Sequence, residues 1–528
     1  MQEKDDATSE SDEPSVNVWQ LVGKVELTFK PSYSFHAWCM IEAYSTSEKV
    51  MRMQSEPMKP LSTSPGIEPA PAPPFQSRDE RIARGKALRE SVPRESHATW
   101  KPAANRLDPI EILRASNRDR LPELVPLRYG RMLPSPFTFL RGSAGLMAAD
   151  LAHTASTGLR VQACGDCHLL NFGLFATPER NLIFDINDFD ETLPAPWEWD
   201  VKRLAVSFVT AMRDIQLSDK HAKGAAVECV RAYRERLREL SKMSPLDVWY
   251  DRLDAEKIIE MAPNARIKEI RENLVGKARE RIGDYLYPKI SEEVAGRRRL
   301  IDEPPALFHV SKEQEPEHDQ LIQEAMELYR LSLPDERRVL FDRYSLEDVV
   351  VKAVGIGSVG TACFVGLFFS AENHPLLLQF KQACPSVLEP FAGKSLYENH
   401  GERVVVGQRL MQSASDIFLG WTRGRRGRDF FVRQLRDMKM SARIKEGATP
   451  EQGLLYAELC GRTLAHAHAK SGDAALISGY LGKGDVFDQA IGEFALDYAD
   501  QNEKDHAALV EAVQDGLIEV ICEEDDDV

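Results

Sequence analysis

Apolar residues recur at two different periods along the chain, and the change of period marks where the elements fall. In WDVKRLAVSFVTAMRDI (199–215) they return every three to four residues, which predicts an amphipathic helix. SPFTFLRGSAGLMAADLAH (135–153) reads as a turn capped by Ser135, running into a helix. GLRVQACG (158–165) is a short strand, and FGLF (172–175) and NLIFDIND (181–188) are two strands joined by the turn ATPER (176–180). Residues 219–300 are highly charged and read as mostly helical, and an irregular Pro-containing stretch follows over 300–320. From 347 the period shortens to that of strands. DVVVKAVGIG (348–357), TACFVGLFFS (361–370) and PLLLQFKQA (375–383), with tight turns between them, predict an antiparallel meander. A helix over about 396–415, a strand around FLGW (417–420), a basic turn RGRRGR (423–428), the strand DFFVRQL (429–435) and helices over 450–520 complete the pattern. No segment repeats. The expectation is an α+β fold with a small antiparallel β part and a larger helical part.

The ends carry a different composition. Residues 1–14 hold six acids and one Lys, and EEDDD (523–527) adds five acids. A Pro/Ser-rich stretch, KPLSTSPGIEPAPAPPF (59–75), reads as a linker. Residues 1–78 are therefore expected to be a disordered acidic and Pro-rich tail, with strand-like text over 16–53 that finds no place. The ordered units expected after it are 79–345, 346–445 and 446–520, with an acidic tail over 521–528. The tails account for ten of the sixteen net negative charges, so the body is only mildly acidic. That charge excludes a protein built to grip nucleic-acid backbone. No apolar run reaches the roughly 20 residues that span a bilayer, so no membrane partner is expected. The polar N-terminus does not read as a signal peptide, and eight scattered Cys point to a reducing cytoplasm.

Two motifs change the picture. VGIGSVG (354–360) places Gly355, Gly357 and Gly360 between two strands, where a nucleotide-binding helix N-terminus is missing. A glycine-tipped hairpin can instead bring backbone N–H groups, including that of Ser358, over phosphates, and the next strand supplies Lys381 to hold them. CGDCHLLNFG (164–173) spells a C-x-x-C-H haem attachment site, but it also places Asn171 five residues after Asp166. That is the spacing of a phosphoryl-transfer loop, in which the Asp orients the acceptor hydroxyl and the Asn ligates metal. FDINDFDE (184–191) then offers Asp185, Asp188, Asp190 and Glu191, with Asp188-Phe189 matching an Asp-Phe metal motif and Asp190 in place of its Gly. Apolar residues interleave with these acids, so the cluster is half-buried and costly without a cation. Asn171, Asp188 and Asp190 are thus the candidate Mg²⁺ ligands. Zinc or redox use of Cys164 and Cys167 lacks further ligands and a following helix, and His168 reads as a loop residue bonded to backbone. His466 and His468, two apart on a helix, cannot share a face as a metal pair. Arg141, in FLRG (139–142), suits either a phosphate or the acidic cluster, and RGRRGR is a solvated hairpin tip.

RMLPSPFTFLRGSA (131–144), CGDCHLLNFG, FDINDFDETLPAPWEWDVKRLA (184–205), VGIGSVGT (354–361) and LAHAHAKSGD (464–473) together resemble the bacterial domain-of-unknown-function family numbered 2252 over about 80–515. The resemblance implies a protein-kinase-like, two-lobe fold, nearest in motif style to aminoglycoside phosphotransferases. Their loop reads H-G-D-x-H-x-x-N, with Cys164 here in place of the first His. In this chain the glycine turn follows the catalytic loop, and the LAHAHAKSG helix follows both, so the motif order is that of a circular permutation. Glu402, ahead of Glu398, is the favoured carboxylate partner for Lys381. The expected function is an ATP- and Mg²⁺-dependent phosphotransferase acting on an undetermined small-molecule or protein acceptor. The alternatives are a nucleotide-binding regulator without turnover, an AMP-transferring enzyme and, remotely, a haem or redox protein.

Overall fold

The computed structural model describes residues 76–522, apart from 281–286, 295, 305–306, 310–314, 354, 358, 425–426, 436–439 and 442–446; side chains of 315–321 and 440–441 are also outside the description. Ser358, the strand-like text over 16–53, the tail through residue 75 and the acidic run 523–527 lie outside the described residues.

Local chemistry sets the first elements. The Pro136–Gly142 helix begins at Ser135, whose side chain accepts from Thr138 N–H while the Thr138 hydroxyl accepts from Ser135 N–H. It leads directly into the Ala144–Leu151 helix. Strand β1 (Arg160–Ala163) follows, then β2 (Phe172–Ala176) and β3 (Leu182–Ile186), which form an antiparallel hairpin with Phe172 opposite Ile186. Strand β4 (Leu193–Pro196) returns to pair with β1 and leads into the Trp197–Asp214 helix. That helix differs from the amphipathic expectation: every residue from Trp197 to Met212 is buried. The Asp219–Leu240, Pro450–Ser471 and Val486–Gln514 helices enclose it. Its polar residues make bonds inside the protein, with Glu198 accepting from Thr157 and Lys202 donating to Thr154.

The charged stretch expected to be helical up to residue 300 ends instead in a hairpin of β5 (Ser291–Val294) and β6 (Arg297–Leu300). Glu292 stands opposite Arg299 and Glu293 opposite Arg298, so charge that reads as a solvated helix face lies in opposite-charge positions across two strands. The next segment also holds more order than its prolines suggest: β7 (Leu307–Phe308) and the Glu315–Ser332 helix.

The meander expected from 348 onward is the centre of a six-stranded antiparallel sheet. Its strands are β7, β8 (Tyr344–Lys352), β9 (Cys363–Ser370), β10 (Pro375–Ala383), β11 (Gly420–Arg423) and β12 (Asp429–Gln434), in the order β11-β12-β10-β9-β8-β7. Strand alternation divides β10. Leu376, Leu378 and Phe380 pack with Tyr329 and Phe341 on one face. Leu377, Gln379 and Lys381 take the other face, which the His400–Met411 helix and the β2–β3 hairpin approach. A short strand β13 (Met440–Ser441) adds to β2, so the chain that left the large sheet returns to the hairpin.

Close helix contact locks the Pro450–Ser471 helix against Asp219–Leu240. A Cβ on Gly461 would lie 2.1 Å from the Cys229 carbonyl oxygen. Among the described residues no helix is long and apolar enough to cross a membrane. Gly461→Ala should destabilise the protein by about 1–3 kcal/mol through overpacking against backbone, read as a lower urea midpoint; an unchanged midpoint would show that these helices can slide apart freely.

Candidate active site

The loop carrying Asp166 is held from beneath by a buried carboxylate. Asp200, in the first turn of the Trp197–Asp214 helix, accepts from Cys164 N–H at 2.6 Å and Gly165 N–H at 3.0 Å. His468 Nε2 stands 3.2 Å from the same carboxylate, and the Tyr233 hydroxyl lies 2.9 Å from His468 Nδ1. The LAHAHAKSG helix therefore acts on the loop through His468, while His466 bonds separately to the Val248 carbonyl at 2.9 Å. Gly165 has φ +85°, and a Cβ there would sit 2.4 Å from the Glu191 carbonyl oxygen, so only glycine makes this turn.

Arg203, on the same helix as Asp200, gives two bonds to Asp166 Oδ1 at 2.7 and 2.5 Å. Asp166 Oδ2 is left toward the cleft. Asn171 donates from Nδ2 to the Asp166 carbonyl at 2.7 Å, leaving its amide oxygen for another ligand. The Asn171 carbonyl accepts from Asn187 N–H at 2.7 Å, which sets Asn171 beside the start of the Asp188 loop. Cys164 and Cys167 are core residues, 1% and 0% exposed, and burial pushes both thiols above their ordinary range. His168 does not hold the loop with its ring as the sequence suggests. Its Nδ1 is buried without a partner, and its Nε2 is 3.9 Å from Asp166 Oδ2. Burial, followed by the Asp166 charge working in the opposite sense, leaves its pKa at about 4.

Lys381 reaches this loop from the large sheet. It is 3% exposed, its ammonium is 3.5 Å from Asp188 Oδ1, and it forms an ion pair with Asp190 Oδ2. Burial would lower its pKa, but Asp188 and Asp190 outweigh burial and raise it. The carboxylates facing Lys381 are thus those of the 188–190 loop. Glu402, the partner favoured from sequence, sits in the first turn of the His400–Met411 helix, where Asn399 accepts from its N–H. The neighbouring Arg403 does the positioning: its guanidinium donates to the carbonyls of Thr192 at 2.7 Å and of Asp190 and Cys384 at 2.8 Å. Asp185 is turned away to Ser413, whose N–H and hydroxyl both reach it at 2.8 Å.

The glycine turn lies over Asp166. A Cβ on Gly357 would be 3.5 Å from the Arg141 carbonyl and 3.7 Å from Asp166 Oδ2, whereas Gly355 faces open space. Arg120 fastens the turn, donating to the Gly357 carbonyl at 2.7 Å and to the Val359 carbonyl, while Gly360 accepts from Leu121 N–H at 2.6 Å. Arg203, Asp200, Arg403 and Arg120 were not singled out from sequence. The signal for the first two is a run of charged residues, Glu198, Asp200, Lys202 and Arg203, at the start of a mostly apolar helix.

A family model described as "Uncharacterized protein conserved in bacteria (DUF2252)" matches residues 120–512. The chain belongs to this family. The DUF2252 region thus opens at the arginine that holds the glycine turn and closes within the Val486–Gln514 helix. No curated protein and no solved structure matches the chain.

Asp166, Asn171, Asp188, Asp190, Lys381 and Gly357 border one cleft of about 2120 Å³. Small-molecule pockets run from roughly 300 to 1,000 Å³, so this cleft has room for two ligands side by side. Among the described residues eleven Arg or Lys line it against seven Asp or Glu, in a chain where acids outnumber bases 83 to 67. Among the described residues no three His, Cys, Asp or Glu converge as a ready metal cage. The donor set of Asp188, Asp190 and the Asn171 amide nevertheless fits Mg²⁺, which takes one or two carboxylates and leaves its other positions to phosphate and water.

His168 gives a pH test of this burial. An unfolded His takes up a proton near 6.5, whereas the buried ring resists until about pH 4. Stability conferred by His168 relative to His168→Asn should therefore fall as pH drops through 6.5 toward 4, by up to about 3 kcal/mol. Urea unfolding of both proteins across that range checks it; parallel curves would mean the ring protonates freely in the fold.

Proposed function

We propose that this cleft transfers the γ-phosphoryl group of ATP to a hydroxyl acceptor, on a protein-kinase-like two-lobe architecture in permuted order. The six-stranded sheet with its glycine turn serves as the nucleotide lobe, and the helices carrying Asp166 serve as the other. The observation that carries the reading is the Lys381 ammonium beside Asp188 and Asp190, in the cleft that Asp166 and the Gly357 turn also line. Phosphoryl transfer needs a cation for the phosphates, oxygen ligands for a divalent metal and a carboxylate for the acceptor, all within one triphosphate's reach.

In this reading Lys381 binds the α/β-phosphates and backbone N–H groups of the Gly355–Gly360 turn cover them. Asp188, Asp190 and Asn171 hold Mg²⁺, which supplies charge neutralisation on the phosphate oxygens. Arg203 occupies Asp166 Oδ1, so Oδ2 orients the acceptor hydroxyl. The acceptor oxygen forms a bond to the γ-phosphorus, and the bond to the β,γ-bridging oxygen breaks. ADP leaves with that electron pair, and the acceptor proton passes to Asp166 Oδ2. Most of the acceleration is positioning and preorganised charge.

ATP with Mg²⁺ at about 100 Kd should stabilise the wild type by roughly 2.7 kcal/mol in a thermal shift. Asp188→Asn and Lys381→Met should lose most of that gain, with circular dichroism confirming their fold. Asp166→Asn should keep it while losing transfer by about 10²- to 10⁴-fold. Absence of stabilisation in the wild type ends the reading. Incorporation of label from α-³²P but not γ-³²P ATP would assign AMP transfer instead.

A further inference from the structure

Arg141 is a charged group in the cleft that the mechanism above leaves unused. It stands in the last turn of the Pro136–Gly142 helix and lines the cleft. Its Nε is buried and has no hydrogen-bond partner. Burial lowers its pKa, Asp166 opposes that, and Arg131 nearby adds like charge. Asp166 is the carboxylate best placed to compensate it, yet Arg203 already takes both of its bonds at Oδ1. By contrast, Lys381 is held between two carboxylates. A buried guanidinium donor without a partner is as costly as a buried carboxylate cluster without a cation, and an anion resolves it.

The location says which anion. The Arg141 carbonyl and Asp166 Oδ2 both border the Gly357 position, at 3.5 and 3.7 Å from where its Cβ would be. Arg141 is thus on the Asp166 side, where an acceptor hydroxyl has to lie, while the phosphate-gripping cation, Lys381, is engaged with the 188–190 loop. His168, whose buried Nδ1 also lacks a partner, lines the same cleft and offers a neutral polar group beside the guanidinium. A planar guanidinium fork matches carboxylate and phosphate oxygens in pairs.

We propose that Arg141 anchors an oxyanion of the acceptor, so that the molecule phosphorylated at Asp166 already bears a phosphate or carboxylate group. This rests on the phosphotransfer reading, and the two fail separately. Inorganic phosphate, and acetate in a parallel arm, are titrated by calorimetry into wild type, Arg141→Ala, Arg141→Lys and Lys381→Met, followed by Mg²⁺-ATP into each. Phosphate affinity should fall at least tenfold in Arg141→Ala and persist in Lys381→Met. Mg²⁺-ATP affinity should stay within about twofold in Arg141→Ala. Arg141→Lys, which keeps the charge without the fork, should show intermediate phosphate affinity and guards against a folding defect in the Ala variant. The acetate arm tells a carboxylate-selective site from a phosphate-selective one; acetate or phosphate binding that depends on Arg141 supports the proposal. Phosphate and acetate binding indifferent to Arg141 overturns it. So does a loss of Mg²⁺-ATP affinity in Arg141→Ala as large as in Lys381→Met, which would make Arg141 a nucleotide contact. An Arg141-dependent phosphate site in a protein that never binds ATP would keep the anion site and sink the phosphotransfer reading.

Discussion

A lysine ammonium buried against two aspartates ties this molecule together. Lys381 comes from the middle of a six-stranded sheet, and Asp188 and Asp190 come from the loop beyond a separate hairpin. The buried ammonium is not tolerable alone in that setting, because desolvation of an isolated ion costs several kcal/mol, and the half-buried aspartates compensate it. Together they fix how the sheet face of β10 meets the β2–β3 hairpin. In the proposed reading, a triphosphate and a divalent cation would together take over the partners of Lys381 and of the aspartates, with no net burial of unpaired charge.

Around that contact, polar groups inside apolar elements do the positioning. Asp200 and Arg203 lie one turn apart on a buried helix, so both point to one side; one grips the backbone of the Asp166 loop and the other its side chain. His468 and Tyr233 hold Asp200 in turn. Arg403 binds three carbonyls across two segments and so fixes the loop after Asp190 relative to the strand end at Cys384. Asp200 and Arg403 spend their charge on backbone, Arg203 on the Asp166 carboxylate, and His468 and Tyr233 on the Asp200 side chain and each other, which makes the loops rigid.

The sequence was most readable where chemistry and period coincide. The five-residue step from Asp166 to Asn171, the acids among Phe184, Ile186 and Phe189, and the alternation that gives Lys381 the parity of Leu377 all follow from local spacing. Asp200, Arg203, Arg403 and Arg120 were illegible for the opposite reason. Their partners lie up to 268 residues away, as Asp200 and His468 do, so nothing near them in the chain tells a buried clamp from a solvated charge. The Glu402 assignment shows the limit: helix and turn were in view, but one residue's rotation decides which side chain faces the loop, and it is Arg403. The β5–β6 hairpin escaped because a Glu pair followed by an Arg run suits a helix surface and a cross-strand ladder equally well.

Chain order bears on assembly more than on chemistry. Groups that meet in a cleft need only be near one another, so the Asp166 loop loses nothing in the folded state by preceding the Lys381 strand in the chain. Folding is different. The Asp166 loop is finished by His468, its acids by Lys381, and the glycine turn by Arg120, which precedes it by 237 residues. Every such closure costs loop entropy before any contact returns it. Local elements such as the Ser135-capped helix and the β2–β3 hairpin can form early, but the buried charges they present have no partners until the sheet and the C-terminal helices arrive. A partly folded chain therefore exposes carboxylates and guanidinia to water, where they are cheap, and the cleft comes into existence only with the last long-range contacts.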